Sequence, residues 1–150
     1  MSHILYANPY TRFDETKGQI TIATWPVIVS KDGERVLLHT STETQKWQFI
    51  GGRLHDDESI RSNALARARE VVGDTVVQLL DLPPLVILDT LERKWVMEDI
   101  LLMHFKAEIE DESRIGSAAW YTLPEVQDLH DTGQTSSPNV LVATKEFLRF

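Results

Sequence analysis

Residues 51–74 read GGRLHDDESIRSNALARAREVVGD: two glycines, an acidic turn, then a run with helical spacing. Adjacent glycines let the backbone come closer to a ligand or a neighbouring segment than any side chain would allow. A glycine turn that feeds a helix start is also a shape that handles phosphate. Ser59 is a good N-cap and Gly73 a good C-cap, so the spacing predicts a helix from Ser59 to about Val72. Steps of three and four put Ile60, Ala64, Ala68, Val71 and Val72 on one side, the one expected to be buried. Asn63, Arg67, Glu70 and Asp74 share a neighbouring stripe. Arg53, Arg61, Arg67 and Arg69 cluster here, interleaved with Asp56, Asp57, Glu58 and Glu70. By pattern alone that is a solvated, salt-bridged helix face.

Upstream of the glycines, residues 19–30 (QITIATWPVIVS) are rich in β-branched side chains and read as a strand, with Pro26 marking an edge, bend or bulge. Asp32-Gly33 is a hairpin turn, and residues 35–42 are the expected return strand. Residues 46–54 form a short extended piece broken by the glycine pair, and residues 1–18 an irregular or edge segment. Downstream, residues 85–92 and 99–110 read as two strands joined by a hairpin at 93–98. In the second, Leu101, Met103, Phe105, Ala107 and Ile109 alternate onto one face. Residues 118–129 read as a strand end and a helix starting near Pro124, and residues 140–150 as a final amphipathic helix after a polar loop. Strands, helix, strands, helix is the order of an α+β layered domain with helices packed on a mixed sheet. No linker divides it, so residues 1–150 are expected to form one domain.

The bulk numbers exclude several function classes. The chain has no cysteine, which rules out disulfides, thiolate metal sites and a cysteine nucleophile. Its formal net charge of -8 argues against a nucleic-acid duplex as partner, while leaving room for a small anion in one basic pocket. The N-terminus lacks the pattern of a signal peptide, and the most apolar window is too short to span a membrane and is broken by Asp81, Pro83 and Pro84. A cytoplasmic location without membrane attachment is the expectation. The aromatics of HILYANPYTRF, residues 3–13, make that segment an expected homodimer contact.

With these residues in place, the segment resembles the Nudix box, G-x5-E-x7-R-E-U-x-E-E-x-G-U with U aliphatic. Gly52 matches the first glycine, Glu58 the first glutamate and Gly73 the last glycine, without a gap. W-x-F-x-G-G at residues 47–52 and W-Y-x-L-x-E at residues 120–125 match flanking features of the family. The resemblance implies a Nudix-type α/β/α sandwich with a mixed β-sheet. It also implies cleavage of a diphosphate in a nucleoside diphosphate derivative, with Mg2+ or Mn2+ neutralising phosphate oxygens.

The centre of the box departs from that pattern. The family arginine falls on Ala66, the glutamate after it on Arg67, and the last glutamate on Val71; Glu70 is kept. The closing aliphatic position holds Asp74, and Ile50 precedes the two glycines where many members have proline. Such metals want hard oxygen ligands, and carboxylates at i, i+3 and i+4 converge on one point of a helix. The resemblance makes Glu70 and Glu58 the catalytic carboxylates, with Glu70 the one helix metal ligand retained. Gly51, Gly52, Arg53 and Arg67 become the substrate-binding residues.

A cation about 6 Å from a divalent ion costs roughly 5 kcal/mol at an effective dielectric near 20, so weak or absent metal binding is expected. Arg67 would instead hold a diphosphate directly, since a guanidinium pairs with phosphate through two parallel hydrogen bonds. Compensating carboxylates would have to come from Glu58, Asp56, Asp57, Asp74 or loop carboxylates such as Glu98, Asp99 and Glu112.

Several residues carry two readings. Glu70 is either a residual ligand or a surface glutamate paired with Arg67 or with neighbours on the Asp74 side. Arg53 is either a phosphate contact or solvated. Trp95 either stacks on a base or covers a sheet edge. Glu58 is expected to hold the loop by accepting backbone hydrogen bonds, and His104 to be a satisfied sheet histidine. Trp25, Trp47 and Trp120 read as core or core-edge residues. Two function classes follow: a divergent pyrophosphohydrolase with weakened or absent metal-dependent hydrolysis, or a non-catalytic module of the same fold that binds a nucleotide or a protein.

Overall fold

The computed structural model describes residues 3–7, 21–55, 57–93 and 96–148. The strands are β1 (His3–Ala7), β2 (Thr21–Ile28), β3 (Arg35–Thr40), β4 (Trp47–Gln48), β5 (Gly52–Arg53), β6 (Val77–Leu79), β7 (Leu85–Arg93), β8 (Val96–Ile109) and β9 (Ala119–Thr122). The helices are α1 (Ile60–Val72), α2 (Leu123–Asp131) and α3 (Asn139–Phe147). Among the described residues, one mixed sheet runs β1-β7-β8-β2-β5, with β6 paired to the far end of β8, and a smaller sheet runs β4-β3-β9. The β1–β7 and β2–β8 pairs are parallel and the others antiparallel.

Alternation along the strands divides the apolar side chains into two cores, one on each face of the sheet. Val27 and Val29 of the β2 segment join Val36, Leu38, Phe49, Leu85 and Ile87 under α2 and α3. Ile28 faces the other way and joins Leu37, Ile50, Phe105, Ala107 and Ile109 under Ala64, Ala68 and Val72 of α1. The alternation expected for Met103, Phe105, Ala107 and Ile109 is therefore the face that meets α1. Helices on both faces of a mixed sheet make the expected α/β/α sandwich, an α+β fold.

Helix α1 starts and stops as the sequence implies. The Ser59 side chain accepts from Ser62 N–H, and Gly73 at φ 72° donates to the Arg69 carbonyl. Helix α2 opens on a capping box between Thr122 and Glu125, with Pro124 in its first turn. Helix α3 begins one residue earlier than expected, at Asn139.

One pairing differs from expectation. The Asp32-Gly33 turn forms, with Gly33 N–H donating to the Ser30 carbonyl at 2.8 Å and Gly33 at φ 77°. The strands on either side nevertheless belong to different sheets and share only the Val29–Val36 bridge. Strand β2 bonds instead to β8 along its whole length, and β3 lies between β4 and β9. The turn brings the chain from one layer to the next rather than closing a two-stranded ladder. The hairpin expected at 93–98 is tight: Arg93 pairs with Val96, so β8 starts three residues earlier than predicted. Trp95 lies outside the described residues.

Candidate functional site

The glycine pair sits where the chain crosses from one face of the large sheet to the other. Phe49 is buried in the core under α3, and Ile50 in the core under α1. Gly51 then passes against Trp25 so closely that a Cβ would come 2.2 Å from the Trp25 ring and 2.7 Å from the Thr24 carbonyl oxygen. Gly52 pairs with Thr24 and Arg53 with Ala23, making β5 the sheet's edge strand beside α1. A side chain at position 51 has no room, so glycine is required by close approach.

Arg67 projects from α1 toward this edge. Its Cδ lies 3.1 Å from where a Cβ on Gly52 would be, so the arginine stem packs over the bare glycine backbone. Its guanidinium bonds to Glu70 Oε1 at 2.9 Å, the two side chains being 17% and 59% exposed. The Arg67–Glu70 pair named in one reading of Glu70 is formed. An exposed carboxylate at i+3 gives such a pair little stability of its own, typically about 0.3–0.5 kcal/mol. The Arg67 Nε–H is buried without a hydrogen-bond partner. That atom has almost no exposed surface, so an incoming anionic oxygen would meet the outer guanidinium N–H groups instead.

The remaining sequence-stated candidates are spread more widely. Arg53 is half-buried on β5, next to Gly52. Glu58 is half-buried just before α1, but the backbone bonds at the helix start go to Ser59, not to the Glu58 carboxylate, whose expected loop-holding bonds are not made among the described residues. The cap geometry suffices to explain this: Ser59 reaches Ser62 N–H directly. Glu112 accepts from Lys31 N–H at 3.1 Å, in the loops that follow β2 and β8. Asp56 lies outside the described residues. Among the described residues, no three histidine or acidic side chains come together as metal ligands would.

Helix α1 holds a residue that periodicity misplaces. Asn63 is fully buried, donating to Thr24 Oγ1 at 2.7 Å and accepting from His55 N–H at 3.4 Å. It ties the helix to β2 and to the loop after β5, fixing Arg67 one turn further on. Its partner is 39 residues away in sequence, so no local signal announces it.

On the opposite face lies a cavity of about 80 Å³ between β2, β8, residues 48–49 and the start of α3. His104 and Trp25 are register partners on adjacent strands, so their rings stand side by side in its floor, 6.3 Å between centroids. Phe49 meets His104 edge-on at 6.0 Å. His104 is 2% exposed, and its Nδ1 has no partner; Trp25 Nε1–H is likewise buried and unpaired. The expectation of a satisfied sheet histidine holds in part: the Leu85 and Leu102 backbone bonds to the ring, while Nδ1 has no partner. Burial pushes its pKa down to about 4 against the opposing effect of the Leu85 and Leu102 backbone, so the ring is neutral at pH 7.

No family model matches the chain, and no curated protein sequence does. Solved structures do match. The chain superposes on a NUDIX hydrolase from Nitrosomonas europaea with a TM-score of 0.63 at 17% identity, covering 86% of this chain and 88% of that one. A C. elegans Ap4A hydrolase gives 0.64 at 16% identity, covering 87% of this chain and all of that one (100%). The E. coli dihydroneopterin triphosphate pyrophosphohydrolase gives 0.58 at 13% identity, covering 87% and 98%. The chain has the fold these proteins share.

Proposed function

We propose, with the Nudix hydrolase fold as premise, that this chain binds a nucleoside diphosphate derivative at the edge formed by Gly51, Gly52, Arg53 and Arg67. Metal-dependent pyrophosphate hydrolysis there is weak or absent. The observation that carries this reading is the Arg67 side chain, laid over Gly52 and paired with Glu70 at 2.9 Å. A magnesium or manganese ion does not fit that arrangement. Its one helix carboxylate is already neutralised, and the guanidinium repels a divalent cation by several kcal/mol even at an effective dielectric near 20.

The same arrangement suits a diphosphate. The phosphate oxygens would take up the outer guanidinium N–H groups and displace Glu70, exchanging a half-solvated ion pair for a charge-assisted fork. The glycine backbone leaves the room for that approach. Glu70 and Glu58 are the carboxylates available to position a water for slow hydrolysis. The binding-only reading, a nucleotide-binding module without turnover, is favoured by the Arg67–Glu70 pair itself, because that pair occupies the carboxylate which activation would need.

Residues 1–150 act as one domain in this reading, and the location is cytoplasmic. No described helix is long and apolar enough to cross a membrane. Most of the segment expected to form a homodimer contact, residues 3–13, lies outside the described residues.

The test is isothermal titration of nucleoside diphosphate derivatives with and without magnesium, beside a phosphate-release assay. The expected result is binding that survives chelation and is lost in Arg67→Ala. Binding or fast turnover that strictly requires metal overturns the proposal.

A further inference from the structure

Helix α1 packs on the large sheet through small or apolar side chains, Ala64, Ala68 and Val72, with one buried exception. Asn63 is 0% exposed on the same helix, and both ends of its amide are used. Its Nδ2 donates to Thr24 Oγ1 at 2.7 Å, and its Oδ1 accepts from His55 N–H at 3.4 Å. An amide carries donor and acceptor in one plane, so a single asparagine joins two chain segments at a fixed angle. Small apolar contacts let a helix slide or turn on a sheet; a short, directional bond in a buried place does not.

Both partners of Asn63 border the phosphate edge. Thr24 is the register partner of Gly52, and a Cβ on Gly51 would lie 2.7 Å from its carbonyl oxygen. His55 follows Arg53 by two residues, and its carbonyl accepts from Glu58 N–H at 3.1 Å. On the helix, Asn63 and Arg67 are i and i+4, neighbours on one face. Four residues therefore close a square. Thr24 and Gly52 stand side by side on the strands, with Asn63 and Arg67 one turn apart above them. One side of the square is the Thr24–Asn63 bond, and the opposite side is the Arg67 stem over Gly52, its Cδ 3.1 Å from a Cβ built there.

The arginine does not locate itself on the sheet. Among the described residues, its guanidinium bonds only to Glu70, which rides on the same helix, and its buried Nε–H has no partner. Where the guanidinium stands relative to the glycines is thus set by where the helix sits on β2. A guanidinium–phosphate fork needs two parallel bonds, so a small displacement of the helix costs at least one of them.

We infer that Asn63, through Thr24, is the positioning residue of this edge: its hydrogen bond fixes the Arg67 guanidinium over Gly52 and thereby sets the affinity for a diphosphate. The diphosphate as ligand rests on the reading above; the placement of Arg67 by Asn63 does not.

The test uses the full chain, inorganic pyrophosphate with a chelator as probe, and two readouts. One is calorimetric affinity, taken well below the melting temperature of each variant. The other needs no ligand: the rate at which the buried Arg67 Nε–H proton exchanges with solvent, its resonance assigned by Arg67→Ala. Asn63→Leu keeps the bulk and removes both bonds, Thr24→Val is isosteric and removes the hydroxyl, and Thr24→Ser keeps the hydroxyl.

Asn63→Leu and Thr24→Val should each weaken pyrophosphate binding at least tenfold, about the loss of one charge-assisted bond, and speed Nε–H exchange at least tenfold. Combining them takes both polar groups out of the core, which recovers melting temperature. The combined variant should still bind as weakly as the single ones, because all three break the same link. A role in stability alone gives the reverse, affinity recovered together with melting temperature. Thr24→Ser should bind and exchange as the parent does.

In a parent that binds pyrophosphate, parent-like affinity or parent-like exchange in Thr24→Val and in the combined variant overturns the inference. Binding still lost in Arg67→Ala then leaves the phosphate edge standing. If Asn63→Leu does not fold, Thr24→Val decides alone, since it exchanges one hydroxyl for a methyl. A parent that does not bind pyrophosphate, with Nε–H exchange accelerated in the same variants, supports the placement and removes the phosphate edge instead.

Discussion

Protonating His104 should destabilise this protein, and the size of the effect follows from its burial. The imidazole is 2% exposed and its pKa is pushed down to about 4, against 6.5 for the free side chain. The unfolded chain takes up a proton near pH 6.5, and the folded chain only near pH 4. Between those values the unfolded state binds more protons, so stability rises with pH across the window and is fully present above it. At 1.36 kcal/mol per pH unit, the full loss on acidification is about 3 kcal/mol.

Other groups titrate nearby. Burial lowers the pKa of His39, and hydrogen bonds lower those of Asp32, Asp111 and Glu125. The measurement is therefore a difference. Urea denaturation of the parent and of His104→Gln is followed from pH 4 to pH 7.5, and the other groups cancel between the two. The parent should lose its stability relative to the variant as pH falls through the window. A difference that stays flat from pH 6.5 to pH 4 refutes the burial argument.

Three further outcomes are expected. Gly51→Ala forces a Cβ to within 2.7 Å of the Thr24 carbonyl and closer still to Trp25, so it should cost about 1–3 kcal/mol or more by denaturation and shift the tryptophan emission. Asn63→Ala strands Thr24 Oγ1 in the core, and its melting temperature should fall by the equivalent of about 1–3 kcal/mol. Arg67→Glu combined with Val71→Glu restores acids at two box positions; magnesium-dependent phosphate release should rise at least about tenfold, the factor supplied by 1.4 kcal/mol. A parent that is already fast with metal contradicts that account.

Much of the layout was legible because it is local. The caps of α1 at Ser59 and Gly73, the start of α2 near Pro124 and the inward face of β8 follow from residue types a few positions apart. The Arg67–Glu70 pair was legible for the same reason, as neighbours one helical step apart. What local pattern does not carry is which strand lies beside which. The Asp32-Gly33 turn looks the same whether its strands pair or diverge, and here they diverge. Asn63 shares a polar stripe in sequence but is buried, because Thr24 waits for it on β2. The cavity was illegible for a related reason: Trp25, Phe49 and His104 meet only after β2 and β8 come into register.

Phe49 and Ile50 are adjacent in the chain and insert into opposite cores. Val27 and Ile28 of β2 and Val29 just after it do the same, as do Val36, Leu37 and Leu38 on β3. The two hydrophobic layers are thus sewn together by three threads, and neither can loosen without dragging on the other. Heating should accordingly give a single sharp endotherm, with amide protons on either side of the sheet losing protection together.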